Sequence, residues 1–340
     1  MPGKSGLKVP AKIALAYGSG GRLTHELVSG LFARAFANKA LAELADSAEI
    51  KAGRERLAFT TDGYVVSPLF FPGGDIGKLA VCGTVNDLAV KGARPLALSA
   101  SFIIEEGFDG ELLKKAVLSM KAAAAEAGVD IVTGDTKVVD KGKADGLFIS
   151  TAGVGLIPAG RSLSFSGLRT GDELIVSGPL GDHGVAVMNA RNNLGLSGLR
   201  SDCAPLNAML EKALSAGAVR AMRDLTRGGL ATSLNEAAAA SGLSIELDEE
   251  KVPVSPVTAN ACALLGLDPL YSANEGRAML FCPPSSSAKV LKALRSHRYG
   301  RGAVIAGRVL GKGGDVSLRT AVGGSRLLRM LEGEQLPRIC

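Results

Sequence analysis

The residues best suited to chemistry in this sequence are acids that stand beside glycine or within apolar stretches. Asp62 ends the apolar run of "TTDGYVV", Asn86 and Asp87 interrupt the apolar helix pattern of "GTVNDLAV", and Asp135 follows a glycine in "VTGDTKVV". A charge among apolar neighbours is costly unless it is paired or binds a metal. Asp62, Asp87 and Asp135 therefore predict a Mg²⁺ site that holds a nucleotide, with Asn86 beside it. Separate turn and cap roles for each acid are the alternative.

A glycine cluster near the start of the chain, "AYGSGGR", is the first candidate for contacting phosphate. Gly18, Gly20 and Gly21 allow the backbone to turn its amides onto an anion. The cluster is not a Walker A loop. Neither is "PGGDIGKL", because its first glycine is misplaced and Leu79 stands where a Ser or Thr is required.

The stretch "RDLTRGGLA" is a second candidate for contacting phosphate. It places Arg227, Gly228 and Gly229 in the first turn of a predicted helix. Free backbone amides and a guanidinium at that point form an anion site. An ordinary N-cap explains Asp224 and Thr226, but it leaves the paired glycines unexplained.

Three further side chains are candidates for the reacting groups. Glu275 lies in "YSANEGR" just before an apolar strand, and it is a general base if desolvation raises its pKa, although surface turn glutamates are commoner. Lys137 either stabilises a phosphoryl group or, if desolvated, acts as the base. Cys340 ends the chain in "PRIC", where a nucleophile is unexpected because chain ends are normally frayed.

The composition bounds the class of protein. Of 340 residues, 46% are hydrophobic, which is ample for a packed core and argues against disorder. The net charge is 39 − 33 = +6, and no nucleic-acid-binding pattern accompanies it, so we expect no nucleic acid partner. Basic residues predominate after Arg295, on a surface that is either simply solvated or docks an acidic partner or phosphate.

The cysteine pattern and the hydropathy bear on the cellular location of the protein. Five cysteines, an odd number without a CxxC pair, indicate free thiols in a reducing environment. Cys82, Cys262 and Cys282 lie in apolar stretches and are expected in the core. We find no signal peptide and no apolar run of about 18 residues that spans a bilayer. The expectation is a soluble cytoplasmic protein without a membrane contact.

Strand and helix patterns alternate along the chain and predict an α/β (α+β) fold with two domains. The clearest helix begins after Asp109, which caps it, and ends at Gly128. A polar, Gly/Ser-rich stretch, "PAGRSLSFSGLRTGD", separates an N-terminal domain, 1–157, from a C-terminal domain, 170–322. Residues 323–340 are predicted to form a flexible tail that carries the terminal cysteine.

Taken together, these blocks resemble the hydrogenase maturation proteins of the HypE family over essentially the whole chain. The matching blocks also include "SGPLGDHG", "ANEGR" and the terminal "PRIC". The family belongs to the superfamily of aminoimidazole ribonucleotide synthetase, the PurM-like proteins, and "PRIC" separates it from the other members. One departure is Tyr17, which stands where many relatives carry His in "AHGSGG".

The resemblance implies a fold and a reaction. The expected PurM-like N-terminal domain pairs with a second subunit to form an intersubunit β-barrel, beside an α/β C-terminal domain. ATP is expected in a cleft near the interface of the homodimer. The carbamoyltransferase HypF is expected to load a carbamoyl group onto Cys340, which this chain then dehydrates to a thiocyanate. The cyanide passes to iron on a HypC–HypD scaffold, for the [NiFe] hydrogenase centre.

This reaction assigns roles to the candidates. Phosphorylation turns the carbamoyl oxygen into a leaving group, and Lys137 or Glu275 takes the N–H protons as the triple bond forms. Mg²⁺ on the three predicted acids offsets phosphate charge, and Arg227 with the following glycine amides holds phosphate. A tail from Glu332 to Cys340 reaches about 30 Å at ~3.3 Å per residue.

The predicted tail contains two more residues with expected roles, and two other functions are alternatives to the dehydratase. Pro337 stiffens the approach, and Arg338 binds a phosphate or a carboxylate. A related ATP-dependent synthetase or kinase acting on a free small molecule would leave "PRIC" unexplained. A nucleotide-binding scaffold would bind ATP without hydrolysis, but a scaffold needs no buried carboxylates.

Overall fold

The computed structural model describes residues 10–331 and 339–340, and the strands of this part form two mixed sheets and a short hairpin. In chain order, the strands of the N-terminal half are β1 (Ala48–Ala52), β2 (Glu55–Tyr64), β3 (Phe70–Phe71), β4 (Gly74–Asp75), β5 (Arg94–Glu105), β6 (Asp130–Val139) and β7 (Leu147–Ile157). The helices of this half are α1 (Arg22–Leu27), α2 (Ala33–Ala35), α3 (Ile76–Val90) and α4 (Gly110–Ala127), with a π-helical segment (Val28–Phe32) and 3-10 turns (Leu15–Gly18, Leu41–Glu43).

The N-terminal sheet is five-stranded and open in the described part of the chain. Its order is β1-β2-β7-β5-β6, and all neighbours are antiparallel except β5 and β6. Helix α3 packs against β2, β5 and β7. Because alternate strand residues face opposite sides, Ala58 is buried while Phe59 is 47% exposed on the other face. Among the residues that the structure describes, no helix packs on that second face, and the sheet does not close into a barrel.

The C-terminal half contains a seven-stranded sheet. Its strands are β8 (Glu173–Val176), β9 (Ala221–Asp224), β10 (Leu243–Asp248), β11 (Ala278–Cys282), β12 (Val304–Lys312), β13 (Val316–Arg319) and β14 (Ser325–Leu327), in the order β14-β13-β10-β12-β8-β11-β9. Its helices are α5 (Asp182–Asn192), α6 (Asn207–Ala216), α7 (Gly229–Ser241), α8 (Pro256–Leu265) and α9 (Pro284–Arg295), with 3-10 turns (Phe165–Gly167, Glu249–Lys251). The predicted mixed α/β class is confirmed.

Helix α3 joins the two halves because it is apolar on all sides. Ile76, Leu79 and Val85 are fully buried, and the helix also packs against α4, α6 and β9. Asp75 caps its start by accepting hydrogen bonds from the amides of Gly77 and Lys78 (2.8 and 3.1 Å). A polar residue on α3 is therefore held rigidly between the domains.

The ends of other elements agree with the sequence in part. Asp109 caps α4 and Gly128 ends it with a φ of +67°, as predicted. Strand β14 lies inside the predicted tail, where Leu328 is buried behind it. Glu332, Pro337 and Arg338 lie outside the described residues. Within the described ranges, helices long and apolar enough to cross a membrane are absent.

Candidate active site

Three acids from separate parts of the chain meet at one point between the two halves. Carboxylate oxygens of Asp46, Asp87 and Asp224 all lie within 4.8 Å of one another. Asp224 Oδ2 is buried and has no hydrogen-bond partner. Negative charges at this spacing repel unless they are protonated or neutralised by a cation. The all-oxygen donor set and the orphaned carboxylate oxygen fit a hard divalent cation such as Mg²⁺.

Each acid reaches this point from a different element. Asp87 projects from α3 and accepts a hydrogen bond from Thr60 Oγ1 of β2 (2.7 Å). Asp224 ends β9, and Asp46 precedes β1, where Arg223 Nε lies 3.2 Å from its Oδ1. Asp224 follows a strand and precedes a glycine-rich turn, a pattern that could have identified it as a ligand. Asp46 has no comparable signal in the sequence.

The surroundings favour the protonated forms of these acids when no cation is bound. Burial is the main cause that raises the pKa of Asp46, Asp87 and Asp224. At Asp87 and Asp224, repulsion from neighbouring carboxylates raises the pKa further. At Asp46 the Arg223 guanidinium opposes this increase in pKa. A metal must displace these protons, so its binding is expected to strengthen as pH rises.

Asp62 lies beside the three acids but takes a different partner. On β2, it accepts a hydrogen bond from the Tyr64 hydroxyl through Oδ2 (3.1 Å). Burial raises the pKa of Asp62, and its charge in turn helps to raise the pKa of Asp87. Asp62 therefore belongs to the same acidic cleft. Its role as a metal ligand stays a prediction.

The N-terminal glycine cluster packs against the second candidate anion site. Arg227 donates a hydrogen bond through Nη1 to the Gly18 carbonyl oxygen (2.6 Å). Gly20 has a φ of +79°, and a Cβ there would lie 2.7 Å from Arg227 Cβ. A Cβ at Gly21 would lie 2.5 Å from the carbonyl oxygen of Leu331. Close backbone approach therefore requires these glycines, and their contact with phosphate stays a prediction.

The turn before α7 differs from the prediction in one detail. Gly228, with a φ of +79°, occupies the N-cap of α7, and no side chain caps the start of this helix. The predicted cap at Thr226 is wrong, because the left-handed glycine conformation shifts the helix start to Gly229. Arg227 is thereby left outside the helix, with its side chain free to reach the glycine cluster.

The last two residues of the chain lie inside the cleft. Ile339 is buried, and Cys340 is half-buried. Val65 donates a backbone hydrogen bond to the Cys340 oxygen (3.1 Å). Burial raises the pKa of the Cys340 thiol to about 12, and the Arg227 guanidinium opposes that rise. The thiol is thus protonated and weakly nucleophilic while it is docked.

His183 is a functional candidate that the sequence did not reveal. It is completely buried at the start of α5, within "SGPLGDHG". Its Nε2 lies 2.7 Å from the Ile339 carbonyl oxygen, and its Nδ1 lies 2.8 Å from Ser201 Oγ. A lone histidine in a glycine-rich motif gives no indication that it contacts the end of the chain.

Glu275 is buried in the same cleft. Its Oε1 atom has no hydrogen-bond partner, and burial raises the pKa of this carboxyl well above its usual range, with nearby acids adding to the increase. Its backbone amide donates to Asp202 Oδ1 (2.9 Å). A Cβ at Gly276 would lie 1.9 Å from the Asp202 carbonyl oxygen, which explains the glycine that follows. The predicted base thus has the desolvated environment that raises carboxyl basicity.

Asn86 is engaged within the protein. Its Nδ2 donates to the carbonyl oxygens of Ala204 (3.1 Å) and Glu275 (3.3 Å), and its Oδ1 accepts from the Leu206 amide (2.8 Å). These bonds connect α3 to the segment that carries Glu275. A contact between Asn86 and a nucleotide stays a prediction, whereas its structural role is evident.

Asp135 and Lys137 do not join the acidic cluster within this chain. Both are exposed on β6, where Lys137 Nζ lies 2.7 Å from Asp135 Oδ2. In the strand register, Asp135 pairs with Ser101, and Lys137 pairs with Ile103. Their side chains therefore share the uncovered face of the N-terminal sheet, opposite α3. Their metal-binding and catalytic roles stay predictions.

Two cavities adjoin the acidic cluster. The larger, of about 440 Å³, is lined by Asp46, Arg223, Phe165 and Met330 among others. The smaller, of about 220 Å³, lies between Gly20 and Arg227 and shares Arg223 with the larger one. A small, mostly polar space next to a larger, partly apolar one suits an elongated anionic ligand.

Comparison with known proteins supports the superfamily and the family. Residues 44–157 match the family model of the AIR synthase related protein N-terminal domain, and residues 169–318 match the C-terminal domain model. The carbamoyl dehydratase HypE of Bradyrhizobium diazoefficiens is 53% identical over 332 residues, which cover 96% of each chain.

Solved structures agree with the sequence relatives. The crystal structure of a HypE–HypF complex matches with a TM-score of 0.86 and 46% identity, covering 92% of this chain and 100% of the other. A HypE structure in complex with ATP matches with a TM-score of 0.82 and 47% identity, covering 97% and 100%. Both similarities extend over both halves of the fold.

Proposed function

The chain belongs to the HypE family of carbamoyl dehydratases, and from this we propose that it dehydrates a carbamoyl group on its own Cys340 to a thiocyanate with ATP. The thiocyanate supplies the cyanide ligands of the [NiFe] hydrogenase iron centre. The observation that carries the proposal is the docking of the terminal dipeptide in an acidic cleft, with Cys340 under the electrostatic influence of Arg227 and Glu275. A synthetase acting on a free small molecule has no use for this arrangement.

The residues of the cleft support two parts of the reaction. ATP, when bound, supplies the γ-phosphoryl group that makes the carbamoyl oxygen a leaving group. The carbamoyl nitrogen loses both protons as the triple bond forms, so the cleft must accept protons. The buried Glu275 carboxylate, whose basicity is raised by burial, is the acceptor that we assign. Overall, the thiocarbamate loses the elements of one water. Its carbamoyl oxygen leaves as part of inorganic phosphate, and the two protons come from the nitrogen.

The phosphate-binding part of the cleft is assigned to two groups of residues. Asp46, Asp87 and Asp224 would hold Mg²⁺, with Asp62 beside them, and the ion would offset the charge of the phosphates. Arg227 and Gly20 line the smaller cavity, and we assign the phosphates to them together with Gly18, Gly21 and the amides of the Gly228–Gly229 turn. These groups orient the phosphates, and the larger cavity provides room for the rest of the nucleotide.

The docked thiol is a poor nucleophile, which favours loading outside the cleft. Burial keeps the pKa of Cys340 at about 12 in the cleft. We therefore propose that the tail leaves the cleft to be carbamoylated by HypF, returns for dehydration, and leaves again to deliver cyanide to iron on a HypC–HypD scaffold. A complex of a relative with HypF supports the first of these partners.

We also propose a homodimer formed through the uncovered face of the N-terminal sheet. That face carries the exposed Phe59 and Ile103, together with Asp135 and Lys137. A second sheet packed there would bury the apolar side chains and complete an intersubunit barrel. Asp135 and Lys137 would then act in a cleft shared by two subunits. Domains over 1–157 and 170–322 and a cytoplasmic location complete the proposal.

Mixed dimers test the shared cleft. Lys137→Ala and Glu275→Gln chains are each expected to be nearly inactive alone. If one site takes Lys137 from one subunit and Glu275 from the other, mixing the two variants restores up to about a quarter of the activity. Absence of restoration, with exchange of subunits verified by native mass spectrometry, would assign both residues to the same chain.

The proposed function is tested by the intact mass of the protein. After incubation with HypF, carbamoyl phosphate and ATP, we expect a carbamoyl adduct on Cys340 that then loses one water. The Cys340→Ala variant provides the matched control and should gain no mass. An unmodified Cys340 in the presence of active HypF would refute the carrier role.

A further inference from the structure

The end of the chain is held by a buried histidine. His183 Nε2 lies 2.7 Å from the carbonyl oxygen of Ile339, and the His183 side chain is fully buried. On the other side of the ring, Nδ1 lies 2.8 Å from Ser201 Oγ. The ring also lies edge-on to Phe71, with 5.5 Å between the ring centroids.

These contacts determine the tautomer of His183. A carbonyl oxygen only accepts hydrogen bonds, so Nε2 must carry the proton that bonds Ile339. Ser201 Oγ already accepts from the Cys203 amide (3.0 Å), and its own hydrogen is left to donate to Nδ1. Burial supports a neutral ring because it lowers the pKa of His183 to about 4. His183 is therefore a single, fixed donor aimed at the tail.

Two other contacts hold the last two residues, and together with His183 they form a docking site that we call the seat. The Ile339 side chain is buried in the core cluster that contains Phe71, Val66 and Val187. Val65 donates its amide hydrogen to the Cys340 oxygen (3.1 Å). All three contacts use the backbone of the dipeptide or the Ile339 side chain. The thiol can therefore carry a group while the dipeptide stays docked.

We propose that His183 is the positioning residue that docks the C-terminal dipeptide, in a seat that selects an apolar penultimate residue. The seat places the thiol in the cleft with Arg227 and Glu275. This inference deepens the proposed function, because a carrier thiol needs a fixed position only where its group reacts. His183 does not touch the reacting atoms, and it acts through Ile339.

The expected change in Cys340 reactivity when His183 is replaced depends on the buried Ile339 carbonyl oxygen. Removing the donor leaves the Ile339 oxygen without a partner in an apolar seat, which favours the undocked tail. The docked fraction protects the thiol, both by covering it and by keeping it protonated. Loss of the donor is expected to accelerate the reaction of Cys340 with a thiol reagent about tenfold.

The test uses the full-length protein and the rate of alkylation of Cys340 by iodoacetamide. Cleavage after Glu334 releases the peptide "QLPRIC", in which mass spectrometry measures the modified fraction. His183→Phe removes the donor and keeps a planar ring, whereas His183→Gln retains an N–H donor at a similar distance from the backbone. Ile339→Gly removes the apolar side chain that packs in the core cluster with Phe71, Val66 and Val187.

We expect His183→Phe and Ile339→Gly to react about tenfold faster than the natural protein, and His183→Gln to stay within about twofold of it. Equal rates for the natural protein and for both the Phe and the Gly variants would overturn the proposal. So would a Gln variant as fast as the Phe variant, because the donor would then be irrelevant. Since no ATP or carbamoyl donor is needed, failure here leaves the proposed dehydration untouched, and failure of the dehydration leaves this result standing.

Discussion

The Arg227 guanidinium lies 2.6 Å from the carbonyl oxygen of Gly18 and joins the two glycine-rich segments of the chain. In the sequence, more than two hundred residues separate these segments, and each predicts an anion site by itself. In the fold they form the two walls of one small cavity. A ligand between them therefore touches the beginning of the N-terminal half and the start of α7 at once.

Gly20→Ala tests whether this junction matters for nucleotide binding. The new Cβ would lie 2.7 Å from Arg227 Cβ, so the loop must move away, and we expect the ATP affinity to fall at least about tenfold. Gly107→Ala is the matched control, because Gly107 also has a positive φ (+87°) but has nothing within 4 Å of the added Cβ. Backbone strain alone should cost the control about 1 kcal/mol of unfolding free energy. Calorimetric titration gives the affinity, and equal affinities in the two variants would contradict the assignment.

Glu275→Gln tests the proton acceptor. The amide keeps the shape of the side chain but cannot take a proton, so we expect dehydration to slow by about 10²–10⁴-fold while the carbamoylated protein accumulates. Quenched samples analysed by intact mass measure both species. Glu106→Gln, at an exposed position, should behave like the natural protein. Dehydration at the natural rate in Glu275→Gln would remove this residue from the mechanism.

Asp87→Asn tests the cation site. Removing one of three crowded carboxylates relieves repulsion, so we expect the metal-free protein to gain about 1 kcal/mol of unfolding free energy. The same change should abolish the stabilisation that Mg²⁺ gives the natural protein, because one ligand is lost. Thermal unfolding with and without Mg²⁺ measures both effects. Asp140→Asn, at an exposed position, should change neither. A variant that still responds fully to Mg²⁺ would show that the ion binds elsewhere.

The pH dependence of stability tests the neutral state of His183. Its pKa is about 4 in the folded protein against about 6.5 when unfolded, because burial disfavours the charged ring. Below pH 6.5 the unfolded chain therefore binds the proton more readily, and this contribution to stability is lost as pH falls toward 4.

Against His183→Gln, the natural protein should lose up to about 3 kcal/mol of relative stability between pH 7 and pH 4. Urea unfolding at several pH values provides the measurement. The carboxylates are common to both proteins, so their own titration cancels in the difference. Parallel stability curves for the two proteins would show that the pKa of His183 is the same in the folded and the unfolded state, which contradicts a buried, neutral ring.

The local elements of this protein follow from patterns in its amino-acid sequence. Helix α3 follows from a mostly apolar run behind Asp75, and α4 follows from the cap at Asp109 and the glycine at Gly128. The candidates Asp87, Glu275, Arg227 and Cys340 were recognisable because charged or nucleophilic groups in apolar or glycine-rich settings are costly without a purpose. The blocks that they form also indicated the family.

Which of these residues meet depends on long-range packing. Asp46 lacks a local signal, and Asp224 resembles a cap, yet the packing of β9 against α3 and the pairing of β1 with β2 bring both acids to Asp87. In the sequence Asp135 looks equivalent to Asp62 and Asp87, but the period of the strand turns it, together with Lys137, to the opposite face of the sheet. The contact between His183 and Ile339 spans 156 positions, and no periodicity or cap extends that far. Local propensity determines elements, whereas the choice of neighbours depends on the packing of all of them together.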